Sequence, residues 1–414
     1  MLNHDSLIAA HDSILQPYAV KHADGLGRMH EESGKMEDLR LRFAIDVGRI
    51  VHSKFYRDLD GKAQVYSAIS PQKLTTRGTH TSEVVFLSRS LARGLRLNED
   101  LAEAIAAGHD LGHPPFGHKG EQALSAWLLE NGSEGGFEHN QQTLRIVELL
   151  AGNRTQHRGL NLNLETLHGL DKHAARADGD GHTLEAQMVN KADRISYLPR
   201  DIDDALRLGI ISLADLRSQP LVDEAFDVGG ANENRICSHL IHLLANDLQQ
   251  ETTRRIVSMG IKTLEDVRHA TEKVVELSPE RAVQVRNLVE FMYQMMYTSQ
   301  DEKGYRQSVG VVIATLADYL RRHPSKAVKQ FEELSCLETP KLRRLEGVKD
   351  TIASMTDAEA LKAVQTGPGI ADRHVRRIQT IYGRKPKRTT ATTNATQNDR
   401  HRNGASPTDP QSTA

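Results

Sequence analysis

Only two cysteines occur in the 414 residues, Cys237 and Cys336, and they lie far apart. That excludes a thiolate zinc cluster and a disulfide framework, so a reducing, cytoplasmic location is the expectation. No apolar run reaches the ~18 residues that a membrane span needs. The opening stretch "MLNHDSLIAAHDSILQPYAV" carries acids and histidines where an export signal has a cationic start and a continuous apolar segment. An unexported protein with no membrane partner is expected. The formal charge of −2 gives the chain no global basic field, so attraction for anions must come from local arrangement.

Long β-branched runs and internal repeats are also missing. What is present instead is apolar spacing of three and four, as in Leu87, Leu91 and Leu95, or Leu184, Met188, Ala192 and Ile195. The fold class is therefore all-α. Asn98, followed by Glu99 and Asp100, reads as a helix start, and the helix is expected to run through "LAEAIAAGHDLGH" until Pro114 and Pro115 stop it. A second helix begins close to Gly117. A third begins at Thr183, with Pro199 expected to kink or end it. Residues 140–182 look irregular in part, with "DGDGH" as a loop tip.

Twenty histidines are present, and three of them share residues 108–121, "GHDLGHPPFGHKGE", with an aspartate and a glutamate. Gly112 and Gly117 have the spacing of a phosphate-binding P-loop, but His118 stands where its lysine belongs and no Ser or Thr follows Lys119. That reading is rejected. On a continuous helix His109 and His113 would share one face, with Asp110 about 100° round from His109. They could reach one ion if other helices supplied further ligands, and His80 in "TRGTHTSEV" and Asp193 in "NKADRISY" are candidates. Two imidazoles and two carboxylates suit manganese, iron, cobalt, nickel, zinc or magnesium. His118 and Glu121, three residues apart, form an acid/base pair in which the carboxylate orients the imidazole. A second His–Asp dipeptide, His11–Asp12, lies in a polar stretch and reads as incidental.

Taken in order, "DVGRIVHSKFYRDLDGKAQV", "TRGTHTSEV", "GHDLGHPPFGHKGEQAL", "GFEHNQQTLRIVELL", "GLNLNLETLHGLDKH", "LEAQMVNKADRISYLPRDIDDALRLG" and, more faintly, "DTIASMTDAEA" resemble the HD-domain deoxynucleoside triphosphate triphosphohydrolases, the dGTPase-like enzymes. The resemblance implies that His80, His109, Asp110 and Asp193 bind one divalent metal, and it leaves open a second ion, magnesium, entering with the substrate. It places His118 and Glu121 at the leaving group, with His113 and His139 around the phosphates. Arg77 corresponds to a phosphate-contacting arginine. Without the family, Arg77 reads as a surface ion pair and His139 as a solvated helix residue. Tyr197 and Asp201 match positions that meet the deoxyribose.

The implied reaction is hydrolysis of a dNTP to deoxynucleoside and inorganic triphosphate. A homo-oligomer is the expected assembly, and an allosteric nucleotide and a nucleic-acid partner are left open. Another HD phosphohydrolase, acting on 5′-nucleotides, cyclic nucleotides or guanosine polyphosphates, would share the four ligands. A non-catalytic nucleotide sensor would keep the pocket without turnover. The implied organisation is an N-terminal segment (1–35), an HD-domain helical core (36–230), additional C-terminal helices packing on it (231–383) and a disordered basic and polar tail (384–414). Four positions depart from the family pattern: Asp58 replaces an arginine, Gly78 a bulky apolar residue and Arg194 an acid, while Pro199 interrupts the sugar-facing segment. Asp58 and Pro199 are expected to border the nucleoside side of the pocket.

Overall fold

The three helices that carry the site each start at a side chain able to replace a missing intrahelical acceptor. Thr76 accepts from the Thr79 amide at the head of Arg77–Leu95. Asn98 accepts from Leu101 at Glu99–Gly108, and Thr183 from Ala186 at Leu184–Arg207. The computed structural model describes residues 3–32, 40–65, 74–152, 157–171, 183–230, 235–297 and 300–379. Among these the fold is all-α, and the only strand-like pairings are the isolated bridges Arg28–Asn163 and Ala63–Thr76. No helix among them is long and apolar enough to cross a membrane. The "DGDGH" stretch and the tail from 384 onward fall outside the described residues.

Two apolar clusters form the interior. In the first, Arg77–Leu95 packs between Glu99–Gly108 and Leu184–Arg207, joining Val84, Leu87, Leu91, Leu101, Ile105 and Met188. The second sets Gly117–Glu130 against Gln300–Arg322, with Leu124, Trp127, Val309, Ile313 and Leu316 buried between them. Between these two cores runs the turn 109–116. Leu111 anchors its start in the first cluster and Phe116 its end in the second, both fully buried. Each such side chain contributes roughly 1.5–3 kcal/mol through burial, so both cores fix the turn's shape.

The structure corrects the expected reach of the helix before this turn. The α-helix ends at Gly108, not at the prolines. Beyond it the backbone tightens, with Leu111 N–H donating to Gly108 O (3.3 Å) and His113 N–H to Asp110 O (3.2 Å). The cause lies about thirty residues downstream in the chain: the Gly112 amide donates to Thr143 Oγ1 (3.0 Å), and a Cβ on Gly112 would sit 2.1 Å from His139 O. A regular helix cannot continue where another backbone comes that close. Phe116 then takes a left-handed conformation (φ 67°), which costs roughly 1–2 kcal/mol for a residue with a side chain. Its buried ring and its amide, donating to Asp357 Oδ1 (2.8 Å), offset that cost.

Pro199 does not end its helix, because Leu184–Arg207 continues past it. The proline forfeits one backbone donor. Burial of Leu198, Pro199, Ile202 and Ala205 in the core offsets the loss. The missing bulk at Gly78 also has a local cause: Asp60 occupies the space, its Oδ1 lying 2.0 Å from where a Cβ would stand.

Candidate active site

Three helices meet at the turn. His80 comes from the first turn of Arg77–Leu95, His109 and Asp110 from the end of Glu99–Gly108, and Asp193 from the middle of Leu184–Arg207. His80 Nε2 is 3.0 Å from Asp193 Oδ1, while His109 Nε2 is 3.4 Å from Asp110 Oδ1 and 3.7 Å from Asp193 Oδ1. The donor atoms of His80, His109 and Asp110 lie within 4.8 Å of one another. His109 Nδ1 is 2.7 Å from Ala106 O, and a carbonyl can only accept, so the ring carries its proton on Nδ1 and turns its Nε2 lone pair toward the carboxylates. His80 Nδ1 is buried without a hydrogen-bond partner among the described residues. Two imidazoles and two carboxylates converging in this way fit a divalent metal with mixed nitrogen and oxygen ligation.

His109 and His113 do not share a helix face, because the helix has already ended at Gly108, before both. Asp110 instead joins two neighbouring groups, with Oδ1 3.4 Å from His109 and 3.3 Å from His113 Nδ1. His113 stacks on His139 at 3.8 Å between ring centroids. Glu121 then holds two histidines rather than one. Its Oε1 accepts from His139 Nδ1 (2.8 Å) and from the His139 amide (2.9 Å), and its Oε2 lies 3.1 Å from His118 Nδ1. The result is a continuous polar seam running from Asp193 through His80, His109, Asp110, His113 and His139 to Glu121 and His118.

Charge along the seam is fixed by burial and by neighbours. Burial opposes ionisation of Asp110, but His109, His113 and the Arg77 guanidinium more than reverse this and hold its carboxyl well below the usual range. Burial, then Arg77, pushes the His113 imidazole well below its ordinary value and keeps it neutral. Glu121 is likewise held low: burial works against its charge, and hydrogen bonds with His118 and His139 outweigh it. His118 is the exposed member, with 63% of its side chain accessible, whereas His113 is buried.

Arg77 is not a surface ion pair. It is almost fully buried and donates through a terminal nitrogen to Asp110 Oδ2 (2.6 Å), leaving Oδ1 to face the histidines. His139 is not solvated either, since His113 and Glu121 cover it. Tyr197 lies one helical turn beyond Asp193, and burial, followed by the charges of Asp201 and Asp193, pushes its phenol up to about 12. It is therefore a hydroxyl donor at neutral pH. Beside it is a cavity of about 410 Å³, walled by Leu244, Leu277 and Val289 and edged by Lys191, Arg194 and Glu276. Neither Asp58 nor Pro199 lines that cavity. Asp58 pairs with Lys54, and Pro199 faces a separate cleft beside Arg200, Asp203 and Cys237.

Three residues that hold the site went unnoticed in the sequence. Lys62, with no exposed surface, donates to His113 O (2.6 Å) and Ala353 O (2.8 Å), and burial lowers its ammonium to about 8. Asp357 takes the Phe116 amide. Asp350, also fully buried, accepts from Gln142 (3.0 Å) and pairs with Arg145 (2.8 Å), fixing the short helix that begins at His139. Both acids stand in the faint "DTIASMTDAEA" block and Lys62 in "GKAQV". Position within a family block was the only sequence signal, because their partners are distant in the chain.

The chain is similar to known proteins over most of its length. The family model for the HD domain matches residues 77–198, and that for a phosphohydrolase-associated domain matches 275–366. The chain is 37% identical over 370 residues to a deoxyguanosinetriphosphate triphosphohydrolase-like protein of Azoarcus sp. (strain BH72), a match covering 84% of this chain and 95% of the relative. Proteins described in the same words from Leptospira interrogans and Geobacter sulfurreducens are 33% and 34% identical, over 88% and 87% of this chain and 99% and 97% of theirs.

Proposed function

The chain belongs to the HD-domain family of deoxyguanosinetriphosphate triphosphohydrolase-like proteins, and on that premise we propose that it hydrolyses deoxynucleoside triphosphates to the deoxynucleoside and inorganic triphosphate. The observation that carries this reading is the seam itself, in which the His–Asp cluster continues without a break into a second set of histidines organised by Glu121. Cleaving a phosphate ester next to its sugar needs both a cationic, donor-rich wall for the phosphates and a separate proton source for the leaving oxygen.

In this reading His80, His109, Asp110 and Asp193 hold one divalent ion. When bound, such an ion supplies Lewis acidity toward a phosphoryl oxygen and acidifies water. Arg77 keeps Asp110 ionised and aimed with Oδ1 inward. His113 and His139, stacked on each other, line the path of the phosphates. Water adds its oxygen to the α-phosphorus, the bond from phosphorus to the 5′-oxygen breaks, and His118 gives its proton to that oxygen while Glu121 steadies the ring. Tyr197 fills the space that a 2′-hydroxyl would need. Asp201, one further turn along and buried, accepts from the 3′-hydroxyl, and the cavity beside Tyr197 takes the rest of the nucleoside.

Sugar recognition gives a direct test. A buried donor or acceptor left without its partner costs ~1–3 kcal/mol, about five- to 150-fold in kcat/KM. Asp201→Ala should therefore weaken use of deoxynucleoside triphosphates by that factor and narrow the gap to dideoxy analogues, as read in parallel steady-state assays. Equal use of deoxy and dideoxy substrates by the unaltered protein would remove this role from Asp201 and weaken the nucleotide reading with it.

A further inference from the structure

The second His–Asp dipeptide, which reads as incidental in the sequence, is not isolated in the fold. The helix His4–Asp12 ends where the chain doubles back, and Asp12 holds the returning segment by accepting the His22 amide on Oδ1 (2.9 Å) and the Ala23 amide on Oδ2 (2.9 Å). This brings the His22 ring edge-on to His11, 4.8 Å between centroids, with Phe43 5.0 Å away on another side. His22 Nε2 stands 3.8 Å from Asp100 Oδ2, in the first turn of Glu99–Gly108.

His22 has no exposed surface, and neither of its ring nitrogens has a hydrogen-bond partner among the described residues. His11 Nδ1 and His4 Nδ1 are buried without partners as well. An imidazole that donates to nothing and accepts from nothing is costly inside a protein, and such groups call for an unseen ligand. The donor atoms of His11, Asp12 and His22 lie within 4.8 Å of one another. Ligand bonds of about 2.0–2.2 Å to one ion could join them with small side-chain movements.

We propose that His11, Asp12 and His22, with Asp100 beside them, form a second divalent-metal site that takes a zinc-class ion and clasps the N-terminal helix to the helix leading into His109. Two imidazoles with carboxylate oxygens and no thiolate suit zinc or cobalt. Asp100 and His109 are nine residues apart on one helix, about 13 Å along its axis at 1.5 Å per residue, too far for a shared ion. The role is therefore structural: the clasp fixes the start of the helix whose end presents His109 and Asp110.

The test uses the full chain, stripped with chelator, reloaded with Zn²⁺, dialysed and analysed for total metal and melting temperature. The unaltered protein should hold two equivalents. His11→Gln should hold one, melt like the unaltered protein when metal-free, and lose the part of the zinc-dependent rise in melting temperature that survives in Asp193→Asn. Combining His11→Gln with Asp193→Asn should leave no tightly held zinc. Equal zinc content in His11→Gln and the unaltered protein would overturn the proposal, as would an Asp193→Asn protein that holds no zinc at all. Water alone between the histidines would produce that second pattern.

Discussion

Asp110→Asn is expected to abolish turnover and also to destabilise the fold, whereas Asp193→Asn should abolish turnover with little loss of stability. Both replacements remove a carboxylate from the proposed metal-ligand set. Changes in the shell behind a metal ligand already cost 10–100-fold, so loss of a ligand should exceed ~100-fold in kcat/KM. The difference between the two lies in what else each aspartate holds. Asp110 is the buried partner of Arg77 (2.6 Å), and the asparagine amide would leave a buried guanidinium without a counter-charge, at a cost of ~3–5 kcal/mol. Asp193 is about one-quarter exposed and contacts His80 and His109, so its neutral amide isostere is buried at less cost. Kinetics, metal analysis and denaturant melts on the pair separate the two effects. Appreciable turnover by either variant with its metal retained would remove that residue from the ligand set.

His118→Ala should lower kcat by ~10²-fold or more with a small change in KM and none in melting temperature. The ring is mostly exposed and its hydrogen bond runs to Glu121 alone, so little packing is lost. Glu121→Gln is the informative companion. Because Glu121 also fixes His139, that variant should raise KM as well as lower kcat, whereas a mere structural role would move stability and leave the kcat of His118→Ala untouched. An unchanged kcat in His118→Ala would place the proton donor elsewhere.

Local features were legible in the sequence wherever a short-range rule decided the outcome. The three-and-four apolar spacing produced helices, Asn98 and Thr183 cap them, and His109, Asp110, His80 and Asp193 lie side by side. What the sequence hid were decisions made by distant chain. The helix stops at Gly108 because the His139 carbonyl and Thr143 hydroxyl occupy its path, which no window around Gly108 reveals. Lys62 reads as one more surface lysine until Ala353 and His113 present it with two carbonyls. Pro199 looks like a helix breaker because the core that offsets its missing donor is tertiary. Arg77 read as a surface pair for the same reason, since its partner Asp110 is thirty-three residues away.

The central claim is that the bond cleaved joins the α-phosphorus to the 5′-oxygen, and hydrolysis in ¹⁸O-labelled water tests it most directly. Chromatography with mass detection separates the products of each dNTP in one run. The arrangement of His118 across the seam from the proposed metal ligands predicts label on inorganic triphosphate and an unlabelled deoxynucleoside. Deoxynucleoside monophosphate and pyrophosphate as the primary products, or inorganic phosphate released from the terminal position, would contradict it.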